Sequence, residues 1–286
     1  MNNLNFLKDM LKGIIIGIAN IIPGVSGGTL AVSMGIYDKL ISSVTNLIKS
    51  PKKSILTLLP YGIGAVLGII GLSFSIEWLF LHYPLQTNLF FSGLILGSVP
   101  IIYKTVKGKK VNMGYILTFL GMFIAVVGLS LVKGNSNTQV HLDLNLVSFI
   151  KLFFVGIIAS ATMVIPGVSG SMVLTIMGYY LPIIETINQS IKYLIKFDII
   201  SLFQSSIILL PFGIGVIIGV FLIAKLIEIL FKKAKVLVYW AIMGLVIGSP
   251  IAILLVSNIG SISVIDILTG SIFLGIGIKI SSMLSE

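Results

Sequence analysis

The sequence predicts an all-α polytopic membrane protein with two inverted-topology repeats, each made of one re-entrant helical hairpin and three transmembrane helices. The prediction rests on composition, on a repeated motif and on the placement of lysine. The 286 residues are 57% hydrophobic and 10% charged, whereas a soluble domain carries about 25% charged residues. Mean hydropathy is +1.14, and several apolar runs reach the roughly 20 residues that span a bilayer core.

Composition also excludes several classes of chemistry. Cysteine is absent, so neither a disulfide framework nor thiol chemistry is expected. The net charge of +10 comes from lysine without any arginine. These lysines lie in short loops between apolar segments, so they indicate membrane topology, and we expect no nucleic-acid partner. The first apolar run leads into Pro23-Gly24 and not into a small-residue cleavage site, so we expect no cleaved signal peptide.

A hexapeptide, Ile-Pro-Gly-Val-Ser-Gly, occurs twice, at residues 22–27 and 165–170, a spacing of 143. Other residues match at this spacing, and after an eight-residue insertion the spacing becomes 151. The matched pairs include Gly13 with Gly156, Gly35 with Gly178, Gly62 with Gly213, and Gly64 with Gly215. We therefore interpret the chain as one membrane domain, 1–286, that contains repeats at 6–132 and 149–283.

The elements follow in order from this pattern. Apolar segments lie at 5–22, 54–80, 87–103, 113–132, 148–165, 204–231, 236–256 and 264–283. Each repeated motif is followed by a more polar arm, at about 28–48 and 171–200, which we expect to be an amphipathic helix packed inside protein. Proline and glycine interrupt the helix in each motif, and such backbone is tolerated at membrane depth only within protein or beside a cavity. Each motif with its flanking arms is therefore predicted to be a re-entrant hairpin.

Lysine positions give the orientation. With re-entrant hairpins each repeat has three true spans, and an odd number inverts the second repeat relative to the first. Fifteen of the nineteen lysines then fall on one side, and Lys133, Lys151, Lys192 and Lys196 fall on the other. The positive-inside rule makes the lysine-rich side cytoplasmic. Both termini are therefore predicted to be cytoplasmic.

Small-residue pairs recur at equivalent positions in the two repeats. They are Gly64/Gly68 with Gly215/Gly219, and Gly93/Gly97 with Gly244/Gly248. Small residues four apart let helix backbones approach closely inside a membrane. These glycines are predicted to serve helix packing.

The repeated motif itself predicts an anion site. Proline ends the incoming helix, and serine or threonine after it suits the N-cap of the outgoing helix. A helix N-terminus with free N–H groups favours a phosphate or carboxylate, and inverted repeats can bring two such termini to one anion near the midplane. A tight turn without a ligand is the alternative. The predicted binding residues are Ser26, Gly27, Gly28, Thr29, Ser169, Gly170 and Ser171.

Acidic residues near the spans are few. Glu77 and Glu228 match across the repeats, each about 25 Å of helix after the equivalent proline. Intramembrane acids are functional candidates, so these two could couple or gate transport, or could simply be solvated at the interfaces. Asp38 and Lys39 are predicted to reach the cytoplasmic interface from the first hairpin, and they are further gating candidates.

Metal and enzyme chemistry find little support. The two histidines, His82 and His141, are isolated and no cysteine accompanies them, so no metal site is expected. A membrane phosphatase needs a strong phosphate clamp, commonly arginine. Neither arginine nor a pair of acids stands near either motif, so we expect no catalytic residues and no cofactor.

Two stretches resemble the signatures of the bacterial and archaeal polyprenyl-phosphate transporter family. The first is Gly-Ile-Ala-Asn-Ile-Ile-Pro-Gly-Val-Ser-Gly-Gly-Thr-Leu-Ala at 17–31 with Gly-Ile-Tyr-Asp at 35–38, and the second is 165–171 with Gly-Tyr-Tyr at 178–180. The resemblance covers nearly the whole chain. It adds Asn20 to the predicted substrate-binding residues.

The resemblance implies a function, a partner and a location. Such a protein would be a flippase, not an enzyme, that returns undecaprenyl phosphate from the outer to the cytoplasmic leaflet for peptidoglycan precursor recycling. Its partners would be this polyprenyl-phosphate lipid and the surrounding membrane lipids. Its location would be the plasma membrane of a bacterium or archaeon.

Two alternatives remain open on sequence alone. One is an undecaprenyl-pyrophosphate phosphatase, whose family also has inverted repeats and a Pro-Gly-x-Ser-Arg-type motif. Here Gly27 and Gly170 stand where that arginine would be, and the acidic partner motif is missing. The other alternative is a transporter of a small soluble anion, which would have a closed central cavity without a lateral opening.

Overall fold

The computed structural model describes residues 3–21, 26–132, 140, 142, 144–257, 259–260 and 262–284. All regular secondary structure in these ranges is helical, as the sequence predicts. The helices are α1 (Asn3–Ile21), α2 (Gly27–Ser33), α3 (Tyr37–Thr45), α4 (Pro51–His82), α5 (Pro84–Leu96), α6 (Val99–Val106), α7 (Met113–Leu131), α8 (Leu146–Val164), α9 (Gly170–Ile176), α10 (Tyr180–Ile195), α11 (Ile199–Val256) and α12 (Val264–Leu284).

Five of the described helices are long and apolar enough to cross a membrane, and α9 with α10 would add a sixth if that pair forms one broken span. They are α4, α7, α8, α11 and α12. Helix α11 has 58 residues, or about 87 Å, far more than a bilayer core of roughly 30 Å needs. Its backbone leaves helical geometry at Ala234 (φ −144°, ψ 48°). This break falls between the predicted apolar segments 204–231 and 236–256, so α11 contains both.

The two polar arms differ from the prediction of one amphipathic helix each, because each arm holds two short helices. Helices α2 and α3 are separated at Gly35 (φ +67°), and α9 and α10 are separated at Gly178 (φ +76°). Positive φ is readily adopted only by glycine, so these matched glycines place the same break in both repeats. Helices α9 and α10 are bent by 110°, which fits either a broken span or a re-entrant loop. The predicted segment 87–103 is also divided, into α5 and α6.

By contacts the chain forms two compact units, one of Met1–Leu131, Ile165–Val168 and Ala224–Glu286, the other of Val132–Val164 and Ser169–Ile223. In the first unit α1 and α4 cross with their backbones in contact. A Cβ added to Gly13 would collide with the carbonyl oxygen of Tyr61, and one added to Gly64 would collide with that of Met10. Glycine therefore permits this crossing, as predicted for small-residue pairs.

In the second unit α8 crosses the N-terminal part of α11 in the same way. A Cβ on Gly156 would collide with the carbonyl oxygen of Phe212, and one on Gly215 would collide with that of Phe153. Gly156 and Gly215 are the repeat partners of the glycines that permit the α1–α4 crossing. The core beside this crossing consists of Leu152, Val155, Ala159, Leu174, Tyr179 and Ile183.

The remaining glycine pairs lie at two further helix contacts within the first unit. A Cβ on Gly93 of α5 would collide with the carbonyl oxygen of Leu274 in α12, and one on Gly244 of α11 would collide with that of Phe119 in α7. Helix α5 belongs to the first repeat and α12 to the second, whereas the C-terminal part of α11 belongs to the second and α7 to the first. Each repeat therefore packs its glycine-bearing helix on the last helix of the other repeat.

Candidate functional site

The first motif leads into α2 through Ser26, which occupies the N-cap position with extended backbone angles (φ −106°, ψ 128°). Its side chain makes no capping hydrogen bond. The hydroxyl oxygen is buried, with Ser26 only 5% exposed, and it has no hydrogen-bond partner within the described part of the chain. Residues 22–25 of this motif lie outside the described residues. The N-cap position of Ser26 is confirmed, but its hydroxyl does not cap the helix.

The second motif leads into α9 through Ser169, again an extended N-cap residue without a capping side-chain bond. Its hydroxyl lies 3.0 Å from the hydroxyl of Ser171, and Ser169 is buried. The sequence also offers Thr29 and Ser171 as caps. Both lie inside the helices instead, because α2 and α9 each begin at the glycine after the first serine.

A hydrogen bond joins the two motifs within the first unit. The backbone N–H of Gly167 donates to Thr29 Oγ1 over 2.6 Å, and the Thr29 side chain is completely buried. Gly167 has φ +86°, and an added Cβ would lie 3.0 Å from Leu245 Cβ and 3.1 Å from Ser249 Oγ. Both its backbone angle and its surroundings therefore require glycine. The two motifs, 143 residues apart in sequence, are in contact at this point.

Gly27 and Gly170 each face the preceding helix of their own unit. A Cβ on Gly27 would lie 2.9 Å from Asn20 Oδ1, and a Cβ on Gly170 would lie 3.0 Å from Thr162 Oγ1. Asn20 is exposed and beside Gly27, so its amide can donate to a group bound at the start of α2. Its repeat partner is Met163, which cannot donate.

The helix starts supply backbone donors. The carbonyl oxygen of Ser26 accepts from the N–H groups of Thr29 and Leu30, whereas the N–H groups of Gly27 and Gly28 precede the first intrahelical bond and have no acceptor within the helix. The same holds for Gly170 and Ser171 in α9. Hydroxyl and amide donors of this kind suit an anion.

Asp38 and Lys39 contact different helices. The hydroxyl of Tyr239 donates to Asp38 Oδ2 over 3.0 Å. Lys39 Nζ donates to Asp9 Oδ2 over 2.8 Å and to the Tyr61 hydroxyl over 3.0 Å. These adjacent residues therefore fix α3 to α11 on one side and to α1 and α4 on the other.

Glu228 is paired with lysine. Lys225 Nζ lies 2.8 Å from one of its carboxylate oxygens, and Lys232 Nζ lies 2.6 Å from the other. Glu77 lies in α4, but its side chain is outside the described residues, as is His141. His82 stacks on Trp78 with a centroid distance of 4.6 Å, as an aromatic position at the membrane interface would.

Sequence reasoning missed the partners that hold α3. Asp9, Tyr61 and Tyr239 were not singled out from the sequence, because each lies near the end of an apolar segment, where polar residues are common. A usable signal exists in the repeat. Asp9 and Lys12 match Leu152 and Val155, so the polar groups appear in one copy only.

Comparison with known proteins decides the family. A family described as undecaprenyl phosphate translocase-like matches residues 16–264. The chain belongs to this family. One relative of this chain is a polyprenyl-phosphate transporter of Staphylococcus aureus. It is 32% identical to this chain over 248 residues, covering 86% of this chain and 85% of the relative. One from Vibrio cholerae is 28% identical over 261 residues, covering 86% of this chain and 77% of the relative. No solved structure matches.

Proposed function

We propose that this chain moves undecaprenyl phosphate from the outer to the cytoplasmic leaflet of the plasma membrane, so that the carrier is reused for cell-wall precursors. Membership of the translocase-like family supports the substrate class. The two relatives are named as transporters, which supports transport over catalysis. A phosphate head group needs a polar cradle to cross hydrocarbon, while the isoprenoid tail can stay in lipid through a lateral opening between helices.

The head group is proposed to bind at the two repeated motifs. The observation that carries this proposal is the buried Ser26 hydroxyl without a described partner, since a buried polar group left unpaired is costly and points to a missing ligand. Thr29 Oγ1 accepts from Gly167, so its own proton remains available to a phosphate oxygen. The proposed donors are the hydroxyls of Ser26, Thr29 and Ser169, the backbone N–H groups of Gly27, Gly28, Gly170 and Ser171, and the amide of Asn20.

Re-entrant hairpins and inverted repeats, at 6–132 and 149–283, with cytoplasmic termini, belong to the same proposal. The matched glycine crossings of α1 with α4 and of α8 with α11 support the repeat. The lysine distribution supports the orientation. In this arrangement Asp38 and Lys39 would act as a gate at the base of the first hairpin, and Glu77 and Glu228 would be the candidates for coupling.

The test is binding and transbilayer movement of undecaprenyl phosphate by purified variants in lipid bilayers. Ser26→Ala and Ser169→Ala should each weaken binding about ten- to a hundredfold, because each removes one charge-assisted hydrogen bond. Gly170→Leu should do more, since its side chain would enter the space beside Thr162 and block approach to the backbone.

Two variants serve as matched controls. Ser271→Ala removes an exposed hydroxyl that bonds within its own helix, and Gly213→Leu adds a side chain where nothing lies within 4 Å. Both should bind as the wild type does. Wild-type binding and transport by all three test variants would mean that the motifs are only turns.

A further inference from the structure

A polar cluster at the base of the first hairpin stands apart from the proposed head-group site. It consists of Asp9 and Lys12 on α1, Lys39 on α3 and Tyr61 on α4. The Tyr61 hydroxyl donates to Asp9 Oδ1 over 2.6 Å, and Lys39 Nζ donates to Asp9 Oδ2 over 2.8 Å. The Asp9 side chain is 21% exposed. One carboxylate therefore joins three helices.

The second repeat shows that the helix crossing does not need these polar groups. At the positions of Asp9, Lys12 and Tyr61 it has Leu152, Val155 and Phe212. Leu152 and Val155 are buried in the apolar core of the second unit, and Phe212 packs against it. The α8–α11 crossing uses the same matched glycines as the α1–α4 crossing and is otherwise apolar here. The α1–α4 crossing therefore does not require these charges, although the bond between Lys39 and Asp9 also holds α3 beside α1.

The charges do not balance. Lys39 Nζ is paired with the carboxylate of Asp9, whereas Lys12 has no carboxylate within ion-pair distance in the described part of the chain, and Lys8 stands one helical turn before it. Lys12 is half-buried, and its Nζ donates to the carbonyl oxygen of Met34 over 3.2 Å, a neutral acceptor. A partly buried site with surplus ammonium charge favours an anion that carries more charge and more acceptors than one carboxylate.

Buried hydroxyls connect this cluster with the first motif. Ser26, Thr29 and Ser33 lie on one face of α2 and are buried, and Ser33 Oγ bonds the carbonyl oxygen of Leu94 over 2.7 Å. The next residue, Met34, carries the carbonyl that Lys12 binds. From Ser26 to Met34 is about 12 Å of helix. In the second repeat the equivalents of Thr29 and Ser33 are methionine and isoleucine.

We propose that Lys12, Lys39 and Tyr61 form a second binding subsite for a phosphate monoester, at which the head group arrives after it leaves the motifs. Asp9 is the internal anion that occupies Lys39 and Tyr61 until phosphate displaces it. The inference rests on the proposed transport function.

The subsite is tested by comparing substitutions of Asp9 and Lys39, because they should change the binding affinity in opposite directions. Lys12→Gln and Lys39→Gln should each weaken binding of undecaprenyl phosphate in phosphatidylcholine bilayers by about tenfold, since each removes a charge-assisted bond. Asp9→Asn should strengthen binding severalfold, because it removes the competing anion. If the cluster only held α3 in place, Asp9→Asn and Lys39→Gln would change binding in the same direction, and the proposal would be wrong.

Three controls separate an effect on binding from an effect on folding, and a free phosphate from a lipid head group. Lys53→Gln changes an exposed lysine of α4 outside the cluster and should have no effect. Thermal unfolding reports whether each variant is folded. Competition by inorganic phosphate, compared with phosphatidylglycerol, tells whether the subsite recognises a free phosphate monoester or requires the lipid.

Failure of the subsite and failure of the transport proposal give different results. If Ser26→Ala weakens binding but Lys12→Gln and Lys39→Gln do not, the subsite is excluded and the proposed function stands. If the wild type does not bind undecaprenyl phosphate, the proposed function fails. In that case, inorganic phosphate binding that is lost in Lys12→Gln would still support the subsite.

Discussion

At the scale of single residues, Thr29 and Gly167 carry the connection between the two motifs. The hydroxyl oxygen of Thr29 accepts a hydrogen bond from the Gly167 amide, and both groups are buried. A buried N–H without an acceptor loses its hydration without compensation. This single bond therefore gives Thr29 a structural role in addition to the proposed contact with phosphate.

Thr29→Val should destabilise the protein by about 1–3 kcal/mol, because it keeps the shape of the side chain but leaves the Gly167 amide without its acceptor. Thr175→Val is the matched control, since the Thr175 hydroxyl bonds the Ser171 carbonyl within its own helix. Thermal unfolding in detergent should show a lower midpoint for the first variant and little change for the second. Equal midpoints would mean that water replaces the lost acceptor.

Some of these residues were predictable and others were not. Ser26 and Ser169 were predictable as N-caps because the Pro-Gly-x-Ser pattern ends one helix and begins another. Their unpaired or mutually paired hydroxyls were not predictable, since that depends on what tertiary packing brings near them. Asp9 and Tyr61 were missed because a single polar residue near the end of an apolar segment is compatible with solvent exposure.

At the scale of elements, glycine decides where helices approach and where they break. Gly64 and Gly215 lie at equivalent close crossings, whereas Gly62 and Gly213, two residues earlier, have nothing within 4 Å of an added Cβ. The sequence predicted the packing role from small-xxx-small spacing. It did not predict the breaks at Gly35 and Gly178, because a single glycine within an amphipathic segment is equally compatible with a continuous helix.

Gly64→Ala should destabilise the protein by about 1–3 kcal/mol, since the methyl group would enter the backbone of α1. Gly62→Ala should instead stabilise it by about 0.5–1 kcal/mol, because alanine loses less conformational entropy in a helix. At the α8–α11 crossing, Gly215→Ala should likewise destabilise the protein and Gly213→Ala should stabilise it. Unfolding midpoints for the four variants test this directly, and a stable Gly64→Ala variant would argue against the close α1–α4 approach.

At the scale of the whole molecule, the break at Ala234 and the lysines around it define how α11 can sit in a bilayer. A 58-residue helix cannot fit within one crossing. The sequence located this break because Lys232, Lys233 and Lys235 interrupt the apolar run. The lysine distribution supports the proposal that this interruption and both termini are cytoplasmic.

Cysteine labelling can test this topology cleanly, because the natural chain has no cysteine. A cysteine at Lys107 should react only with a reagent that reaches the cytoplasm, and a cysteine at Asn137 should react with an impermeant reagent applied to intact cells. The control is the cysteine-free parent. Labelling of both positions from one side would exclude the inverted arrangement of the repeats.

Enzymatic phosphate release gives a further whole-molecule prediction. Undecaprenyl diphosphate should not be hydrolysed by the purified protein, because the chain has no arginine to clamp the phosphates. A phosphate-release assay with a genuine membrane phosphatase as positive control measures this. Turnover that disappears in Ser26→Ala would favour the phosphatase alternative instead.

The exchange of final helices between the repeats bears on the origin of the chain. Helix α5 of the first repeat packs against α12 of the second, and the C-terminal part of α11 packs against α7. If the chain arose by gene duplication, a single ancestral copy would have lacked a partner for one glycine-lined face, and a second copy would have supplied it. The glycine breaks and crossings shared by both halves then date from that ancestor. The ionic cluster on α1 is matched by Leu152 and Val155 in the other half, so the two halves have diverged at these positions.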